Sequence, residues 1–384
     1  MKRLSIIGST GSIGESTLKV VDRYPDRLQV VGLATGHNLA RLEEQMVRYR
    51  PEVVGLAKAV PGAPKGIRSG ESALEDVAAW PSADVAVIAS VGFTGVRPTL
   101  AAIAAGKKIA LANKETLVAA GAVVIPAARK AGTPIAPIDS EHSAIWQCLR
   151  AGGRGEVKRL ILTASGGPFR TRPIDTFDRI TLAEALAHPT WKMGPRITID
   201  SATMMNKGFE IIEAAWLFDI PPEQVDVVIH PQSIIHSMVE FQDGSVISQM
   251  GIPDMTIPIA YALFAPERPP ATNDVPLYSP SSGPTLEFFE PDPARFPALD
   301  LARAAYRMGA TGGAALNAAD EVAVAAFLEE KLPFARIIPL VERVLNDHNA
   351  VREPSIEDIE DVDRWARMRA SELTDSVAGR VITS

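Results

Sequence analysis

The sequence predicts an α/β protein in three parts: an N-terminal doubly wound parallel sheet, a central α/β catalytic region with a flap loop, and a C-terminal helical region. Three observations carry this. Short apolar runs alternate with helical segments from residue 4 to about residue 135, the pattern of strand–helix–strand crossovers. A glycine-rich loop separates the first run from the first helix. Beyond Leu299, Ala-rich apolar faces at helical spacing replace the strand-like runs.

Leu4–Gly8 reads as a short buried strand, followed by the loop Gly8-Ser-Thr-Gly-Ser-Ile-Gly14 and a helix over Glu15–Tyr24 that Pro25 stops. Leu28–Leu33 is the second strand, and Leu39–Tyr49 is helical in pattern. Val53–Leu56, Val85–Ala89 and Lys108–Leu111 are further short strands, with Ala-rich helices over Thr99–Ala105 and Leu117–Lys130. After Ile135 a second α/β region is expected, with strands at Arg159–Thr163, Arg196–Ile199, Val225–Ile229 and Ser233–Phe241. Gln242-Asp-Gly-Ser245 is a hairpin turn joining Ile234–Phe241 to Val246–Met250. Pro266–Pro297, dense in Pro and Ser, reads as a linker. Helices follow to Leu328 and again over Arg336–Leu345. The expected division is 1–138 for nucleotide binding, 139–265 for metal and substrate, 266–298 as linker, and 299–384 as the helical domain.

The bulk properties exclude several classes. Hydrophobic residues make up 46% and charged residues 22% of 384 positions, as in soluble globular proteins. Net charge is −7 and no long basic run occurs, which disfavours nucleic acid and anionic membranes. The longest apolar runs, such as Ala119–Ala128, are short and punctuated, so no membrane span is expected. The start carries no signal-peptide core. A single cysteine, Cys148, suits a reducing compartment, and a cytoplasmic location is expected.

Gly8-x-x-Gly11-x-x-Gly14 lies between a strand and a helix, where glycines let the backbone approach a pyrophosphate and the helix N-terminus offers free N–H groups. A tight βα turn is the alternative. At the end of the second strand, Ala34-Thr-Gly-His-Asn38 replaces the acidic residue that would meet a ribose 2′-hydroxyl. Thr35, His37, Asn38 and Arg41 are possible donors to a 2′-phosphate, which favours NADP over NAD. Otherwise they only begin the next helix, with Asn38 as N-cap. Asn113-Lys-Glu115 follows a strand where ligands of open α/β sheets bind, or else caps the next helix.

Ile135-Ala-Pro-Ile-Asp139-Ser-Glu141-His142 is an apolar run ending in charge. In extended chain Asp139 and Glu141 point to one side, and a close carboxylate pair suits Mg²⁺ or Mn²⁺. Glu210 completes a three-carboxylate set. His142 is a further ligand, or a surface or N-cap-adjacent histidine. Asn206, Lys207 and Glu210 at i, i+1 and i+4 share one helix side. With Ser201 and the Ser165-Gly-Gly turn, Asn206 and Lys207 form a phosphate grip; an ordinary turn is the other reading of Ser165-Gly-Gly. His188-Pro-Thr-Trp191-Lys-Met193-Gly194-Pro contains no regular element and reads as a lid over substrate, or as a loop whose Trp packs into its own domain. His230, at a strand end beside Pro231, is a weaker site candidate.

Together these motifs resemble the 1-deoxy-D-xylulose 5-phosphate reductoisomerase family. The matching segments are GSTGSIG, LANKE, PIDSEH, TASGGPFR, HPTWKMG, ITIDSATMMNKGFE, IHPQSIIHSMVEFQDGS and LNAADEVAVAAFL, in family order. The resemblance implies a Rossmann-like N-terminal domain, NADPH, Mg²⁺ or Mn²⁺, a phosphorylated sugar substrate, and a homodimer. It implies that Thr10, Gly11, Ser12 and Ile13 hold the pyrophosphate, with Gly36, His37 and Asn38 near the ribose phosphate. Asn113, Glu115 and Gly194 would meet the cofactor, and Lys114 and Ser140 the substrate. Asp139, Glu141 and Glu210 would ligate the metal. Ser165, His188, Ser201, Asn206 and Lys207 would bind the substrate, largely at its phosphate, with Trp191 and Met193 in the flap. Position 37 is often Lys in the family; here it is His37, a weaker attraction for a 2′-phosphate.

Overall fold

The structure, a computed structural model, describes residues 1–70, 72–187 and 193–381, with side chains to residue 376. In chain order the first elements are β1 (Lys2–Ile7), α1 (Ser12–Arg23), β2 (Leu28–Thr35), α2 (Leu39–Tyr49), β3 (Val53–Leu56), β4 (Arg68–Ser69), α3 (Ala73–Ala78), β5 (Val85–Ile88), α4 (Val96–Ala104), β6 (Lys108–Leu111), α5 (Glu115–Ala131), β7 (Ile135–Pro137) and α6 (Ser140–Cys148). Then come β8 (Val157–Ala164), α7 (Leu182–Ala185), α8 (Pro195–Thr203), α9 (Met205–Phe218), β9 (Val225–Ile229), β10 (Ile235–Phe241), β11 (Val246–Met250) and α10 (Thr256–Phe264). The chain ends in α11 (Ala298–Met308), α12 (Gly312–Leu328), α13 (Ile337–Asn346) and α14 (Ile356–Val381).

Packing divides the chain into two compact units. The first comprises Met1–Thr116, Val124–Trp146 and Asp254–Leu277; the second comprises Leu117–Val123, Gln147–Pro253 and Tyr278–Ser384.

The first unit is a parallel seven-stranded sheet in the order β4-β3-β2-β1-β5-β6-β7. The chain winds outward from β1 to β4, then returns to β5 on the other side of β1. The β1/β5 boundary is therefore the switch point, where ligands of doubly wound sheets bind. Its strands are short and buried because helices cover both faces, so they read as apolar runs rather than alternations. Leu4, Ile6, Leu33, Leu42, Leu56 and Val87 form its core with Ile259, Leu263 and Phe264 of α10.

The second unit contains a four-stranded mixed sheet, β11-β10-β8-β9, and the C-terminal helices. The hairpin expected around Gln242–Ser245 is present, as β10 and β11. Phe209, Leu316, Phe327, Phe334 and Val341 lie in one apolar cluster that ties α9 to the terminal helices. Gly208 permits the approach of α9 and α11, because a Cβ there would stand 2.9 Å from the Ala302 Cβ. Phe289 of the linker bridges Ile229 at the end of β9.

Two expectations need correction. Arg196–Ile199 is helical, the first part of α8, and not a strand. Polar Arg196 and Thr198 alternate with Ile197 and Ile199 and imitate strand periodicity, but Pro195 at the first helical position and the Thr198 hydroxyl bonded to the Gly194 carbonyl at 2.9 Å start a helix. Asp139 and Glu141 do not share an extended strand either. β7 ends at Pro137 and α6 begins at Ser140, so Glu141 sits in the first helical turn, where a carboxylate faces the positive end of the dipole. Among the described residues no helix is long and apolar enough to cross a membrane.

Candidate active site

In the first unit, the glycine loop leaves β1 at the switch point. Gly8 has φ +92°, and a Cβ on it would lie 2.4 Å from the Ala89 carbonyl oxygen, so only glycine lets the loop pass the end of β5. Gly14 faces back onto the loop: its Cβ would stand 2.3 Å from the Gly8 oxygen. Gly11 caps α1 with its backbone alone. Without a side-chain cap, the first N–H groups of α1 are offered to an anion. Thr10 is tied to Thr35 through their hydroxyls at 2.5 Å, which joins the loop to the end of β2. Gly36, His37 and Asn38 are exposed beside it. The Asn38 side chain accepts from Arg41 N–H at 3.2 Å and so caps α2.

Arg41 does not point into open solvent. Its guanidinium takes Glu15 at 2.7 and 2.8 Å and also Glu44. The Arg41 bond is the main reason the Glu15 carboxyl is held below its ordinary value. Gln45 adds donations to Glu15 at 2.8 Å and to the Ser9 carbonyl at 2.9 Å, locking α2 against the loop.

Asn113 is buried at the β6–α5 turn. Its amide donates to the carbonyls of Ser90 and Gly92 at 2.8 and 2.9 Å and to Glu115 at 3.1 Å, and its oxygen accepts from Thr116 N–H at 2.9 Å. Glu115 in turn accepts from Gly92 N–H at 3.1 Å. These side chains therefore fix the 90–95 loop beside the switch point. Lys114 places its ammonium 3.0 Å from Asp139 Oδ2. His142 is fully buried, with Nδ1 3.5 Å from the same oxygen, so it is no surface histidine. The Ser140 hydroxyl donates to Glu141 at 2.5 Å. Ser140, Glu141 and Asp139 thus occupy one turn at the carboxyl end of β7, with Lys114 reaching Asp139 from the N-cap of α5.

In the second unit, β8 runs into Ser165-Gly166-Gly167. The Gly167 N–H donates to the Ser165 hydroxyl at 3.2 Å, and Gly167 has φ +63°. A Cβ on Gly167 would lie 2.7 Å from the Ser201 carbonyl, so this turn presses directly on α8. At Met204, φ +63°, the chain turns from α8 into α9. Asn206 donates to Glu210 Oε1 at 2.7 Å, and Lys207 to Glu210 Oε2 at 2.5 Å. Lys207 and Glu210 are almost wholly removed from solvent. The structure therefore sets the turn that follows Ser165 against the Ser201 backbone, and brings Asn206 and Lys207 to Glu210. His188 and Trp191 lie outside the described residues; Met193 and exposed Gly194 lead into α8.

Glu213 is a buried carboxylate one turn beyond Glu210, and sequence reasoning missed it. Its spacing of three from Glu210 was the available signal. His230 is not a ligand-site residue. One ring nitrogen is 2.9 Å from the Glu287 carbonyl, the other accepts from the N–H groups of Ile234 and Ile235, and the ring stacks on Phe288. It fastens the linker to the turn before β10.

The donors fit a divalent cation chemically. Asp139 and Glu141 in the first unit and Glu210 in the second carry hard carboxylate oxygens of the kind that suits such an ion, and Asp139 and Glu210 each lie against a lysine ammonium, as carboxylates needing a positive partner do. The uncapped α1 terminus and its glycines fit a dinucleotide pyrophosphate.

A doubly wound sheet with such a loop at its switch point defines a dinucleotide-binding α/β enzyme. Known proteins narrow this. Family profiles described as 1-deoxy-D-xylulose 5-phosphate reductoisomerase, its C-terminal domain, and DXP reductoisomerase C-terminal domain match residues 4–121, 135–218 and 250–369. A protein named 1-deoxy-D-xylulose 5-phosphate reductoisomerase from Pelotomaculum thermopropionicum is 50% identical over 96% of this chain and 97% of its own length. One of that name from a Synechococcus strain is 49% identical over the whole of both chains. A solved DOX-P reductoisomerase in complex with NADPH, fosmidomycin and magnesium superposes with TM-score 0.91 at 39% identity, covering 98% of this chain and 99% of the other. The Zymomonas mobilis enzyme in complex with NADPH gives 0.89 at 41%, with the same coverages. The chain belongs to the 1-deoxy-D-xylulose 5-phosphate reductoisomerase family.

Proposed function

We propose that this protein rearranges and reduces 1-deoxy-D-xylulose 5-phosphate to 2-C-methyl-D-erythritol 4-phosphate, using NADPH and a divalent metal, Mg²⁺ or Mn²⁺. The observation that carries this reading is the α9 cluster, in which Asn206 and Lys207 share one helical face with a buried carboxylate, Glu210. Family membership over nearly the whole chain supports it.

Lys207 gives the substrate phosphate a full positive charge, and Ser165, Ser201 and Asn206 give neutral donors. Holding the phosphate orients the reacting carbons and spends remote binding energy on positioning. Asp139, Glu141 and Glu210 hold the metal, which when bound supplies Lewis-acid polarisation of the ketone and a neighbouring hydroxyl. Lys114 and Ser140 contact the substrate next to those carboxylates. NADPH supplies hydride to the rearranged, branched aldehyde, and a proton completes the alcohol. Thr10, Gly11, Ser12 and Ile13 bind its pyrophosphate, with Gly36, His37 and Asn38 at the ribose phosphate. Asn113 and Glu115 act at the nicotinamide end by fixing the 90–95 loop, and Gly194 lies near the cofactor. His188, Trp191 and Met193 belong to the flap that excludes water over the substrate. The functional division is 1–138, 139–265, a 266–298 linker and 299–384.

A homodimer belongs to the same reading. β11 is a sheet edge with Val246, Ile247 and Met250 exposed, and such an edge invites pairing with a second copy. Cys148 is buried and outside any disulfide, in keeping with a cytoplasmic location.

Adding deoxyxylulose phosphate and Mg²⁺ should start NADPH consumption, and a chelator should stop it. Consumption that continues at full rate in the chelator would remove the metal from the mechanism.

A further inference from the structure

We propose that Asp320 and Asp200 share a single proton inside the second unit, and that this proton seats α8, with Ser201 and the start of α9, against α12. Asp320 is thereby a positioning residue for the substrate-binding helices. Its effect on substrate rests on the proposed phosphate grip; the shared proton does not.

Asp320 lies on α12 and is fully buried. Neither of its carboxyl oxygens has a hydrogen-bond partner among the described residues. The nearest cation, Arg196 Nη2, is 3.9 Å away, beyond hydrogen-bond reach. Arg196 is turned to other acceptors on the same helix, donating to Glu321 at 2.8 Å and to Asn317 at 3.0 Å. Asp200, on α8 and also buried, stands beside the same guanidinium, with Arg196 Nε 3.7 Å from its carboxylate, and its charge acts directly on Asp320.

The local charge shows why a proton is needed. From α8 come Arg196 and Asp200, from α12 Asp320 and Glu321, and from α14 Arg367 and Asp363. Arg367 bonds to Glu321 and Asp363, each at 2.7 Å. Among the described residues, two guanidinium groups thus face four carboxyl groups, and neither of them reaches Asp320 with a hydrogen bond. α11 and α13 meet α12 through apolar residues of the cluster, including Ala302, Ala305, Leu340 and Val344. Two facing carboxyl groups can satisfy each other only when one donates O–H to the other; ionised together, they repel in a medium that screens little. Burial, and next the Asp200 charge, raise the Asp320 carboxyl well above the ordinary carboxylate range.

The consequence reaches the site through the backbone. α8 runs from Gly194 to the Met204 turn and carries Ser201 against Gly167, and α9 begins at once with Asn206 and Lys207. Loss of the proton places two charges between α8 and α12 and loosens the seat of all three donors.

The direction in pH follows. A carboxyl raised in the folded state stabilises fully below its unfolded pKa, about 4, and this stability is lost as pH rises through the folded value. Asp320→Asn imitates the protonated form, since its amide donates to Asp200; Asp200→Asn does the same from the other side.

Urea unfolding of the full chain from about pH 5 to pH 9 tests the proton. The wild-type unfolding constant should rise relative to either variant by up to about tenfold per pH unit. Parallel curves overturn the proposal. Should the variants not fold, the wild-type chain at neutral pH should still show the infrared carbonyl band of a protonated carboxyl, and its absence has the same force. Amide exchange in α8 tests the seating: its protection, after correction for the intrinsic pH dependence of exchange, should fall with pH in the wild type and not in Asp320→Asn. Equal α8 profiles overturn the seating even if the proton is present. KM for the sugar phosphate should climb with pH in the wild type alone, with kcat unchanged. If no variant turns over at any pH, the assigned activity fails while unfolding and exchange still decide this proposal.

Discussion

Lys207 Nζ stands 2.5 Å from Glu210 Oε2, three residues along α9, with both side chains almost entirely out of solvent. The phosphate anchor and the proposed metal ligand are thus one ion pair. Removing one member of a buried pair strands the other charge, at a cost of about 3–5 kcal/mol. Lys207→Ala should therefore lower the melting temperature and also raise KM for substrate, as roughly 1.5–3 kcal/mol of charge-assisted bonding to the phosphate is lost. Mg²⁺ should restore part of the lost melting temperature by neutralising Glu210. Thermal melts with and without Mg²⁺, beside steady-state kinetics, check both; an unchanged KM would remove Lys207 from the phosphate site.

Glu210→Gln should behave differently. The glutamine oxygen can still accept from Lys207 or Asn206, so the loss of stability should be smaller than in Lys207→Ala, although the buried ammonium is left without its counter-charge. Metal affinity and turnover should fall together, because one of three anionic ligands is gone. Titration of Mn²⁺ by its paramagnetic effect on water relaxation measures the affinity. Wild-type affinity in this variant contradicts the ligand assignment.

Gly167→Ala probes the turn proposed to lie below the substrate phosphate. At φ +63° an alanine costs roughly 1–2 kcal/mol, and its Cβ would meet the Ser201 carbonyl at 2.7 Å. The Ser165 turn and α8 must separate. KM for the sugar phosphate should rise while NADPH affinity, measured by fluorescence, stays at the wild-type value. The reverse pattern would misplace the phosphate.

Gly14→Ala is the matching test in the nucleotide loop. Its Cβ would lie 2.3 Å from the Gly8 oxygen, and the loop has no side chain to give way. Overpacking of this kind costs about 1–3 kcal/mol. NADPH should bind more weakly with the substrate site intact, as read by fosmidomycin binding in the presence of Mg²⁺.

Much of this was legible in the sequence, because it rests on local rules. Gly8, Gly11 and Gly14 announced the βα turn, and Asn206, Lys207 and Glu210 revealed their shared face through helical spacing. What the sequence hid depends on tertiary partners. Arg41 looked like a donor for a 2′-phosphate, yet Glu15, on a different helix, already holds it. The alternation Arg196-Ile-Thr-Ile199 suggested a strand until Pro195 and the Thr198 hydroxyl were seen to start α8. Asp320 lies in the LNAADEV segment, but its partner was hidden, since the charge acting on it lies 120 residues earlier at Asp200. Asn113 reads as a contact residue, but its hydrogen bonds show that it also holds the 90–95 loop.

His348 gives a pH dependence on the acid side. Burial lowers its pKa, and its Nε2 lies 3.0 Å from the Thr311 hydroxyl, which also accepts from Val351 N–H at 2.9 Å. A base lowered in the folded state stabilises above its unfolded pKa, about 6.5, and that contribution is lost as pH falls through the folded value. Stability should decline below about pH 6.5 and decline less in His348→Gln. Parallel acid limbs in urea unfolding would show that His348 is not responsible.

Rearrangement coupled to reduction is the central claim, and the identity of the product tests it most directly. The purified protein, NADPH, Mg²⁺ and 1-deoxy-D-xylulose 5-phosphate should yield the branched 2-C-methyl-D-erythritol 4-phosphate, with one NADPH consumed per molecule formed. A straight-chain polyol phosphate, reduced without rearrangement, would contradict the account.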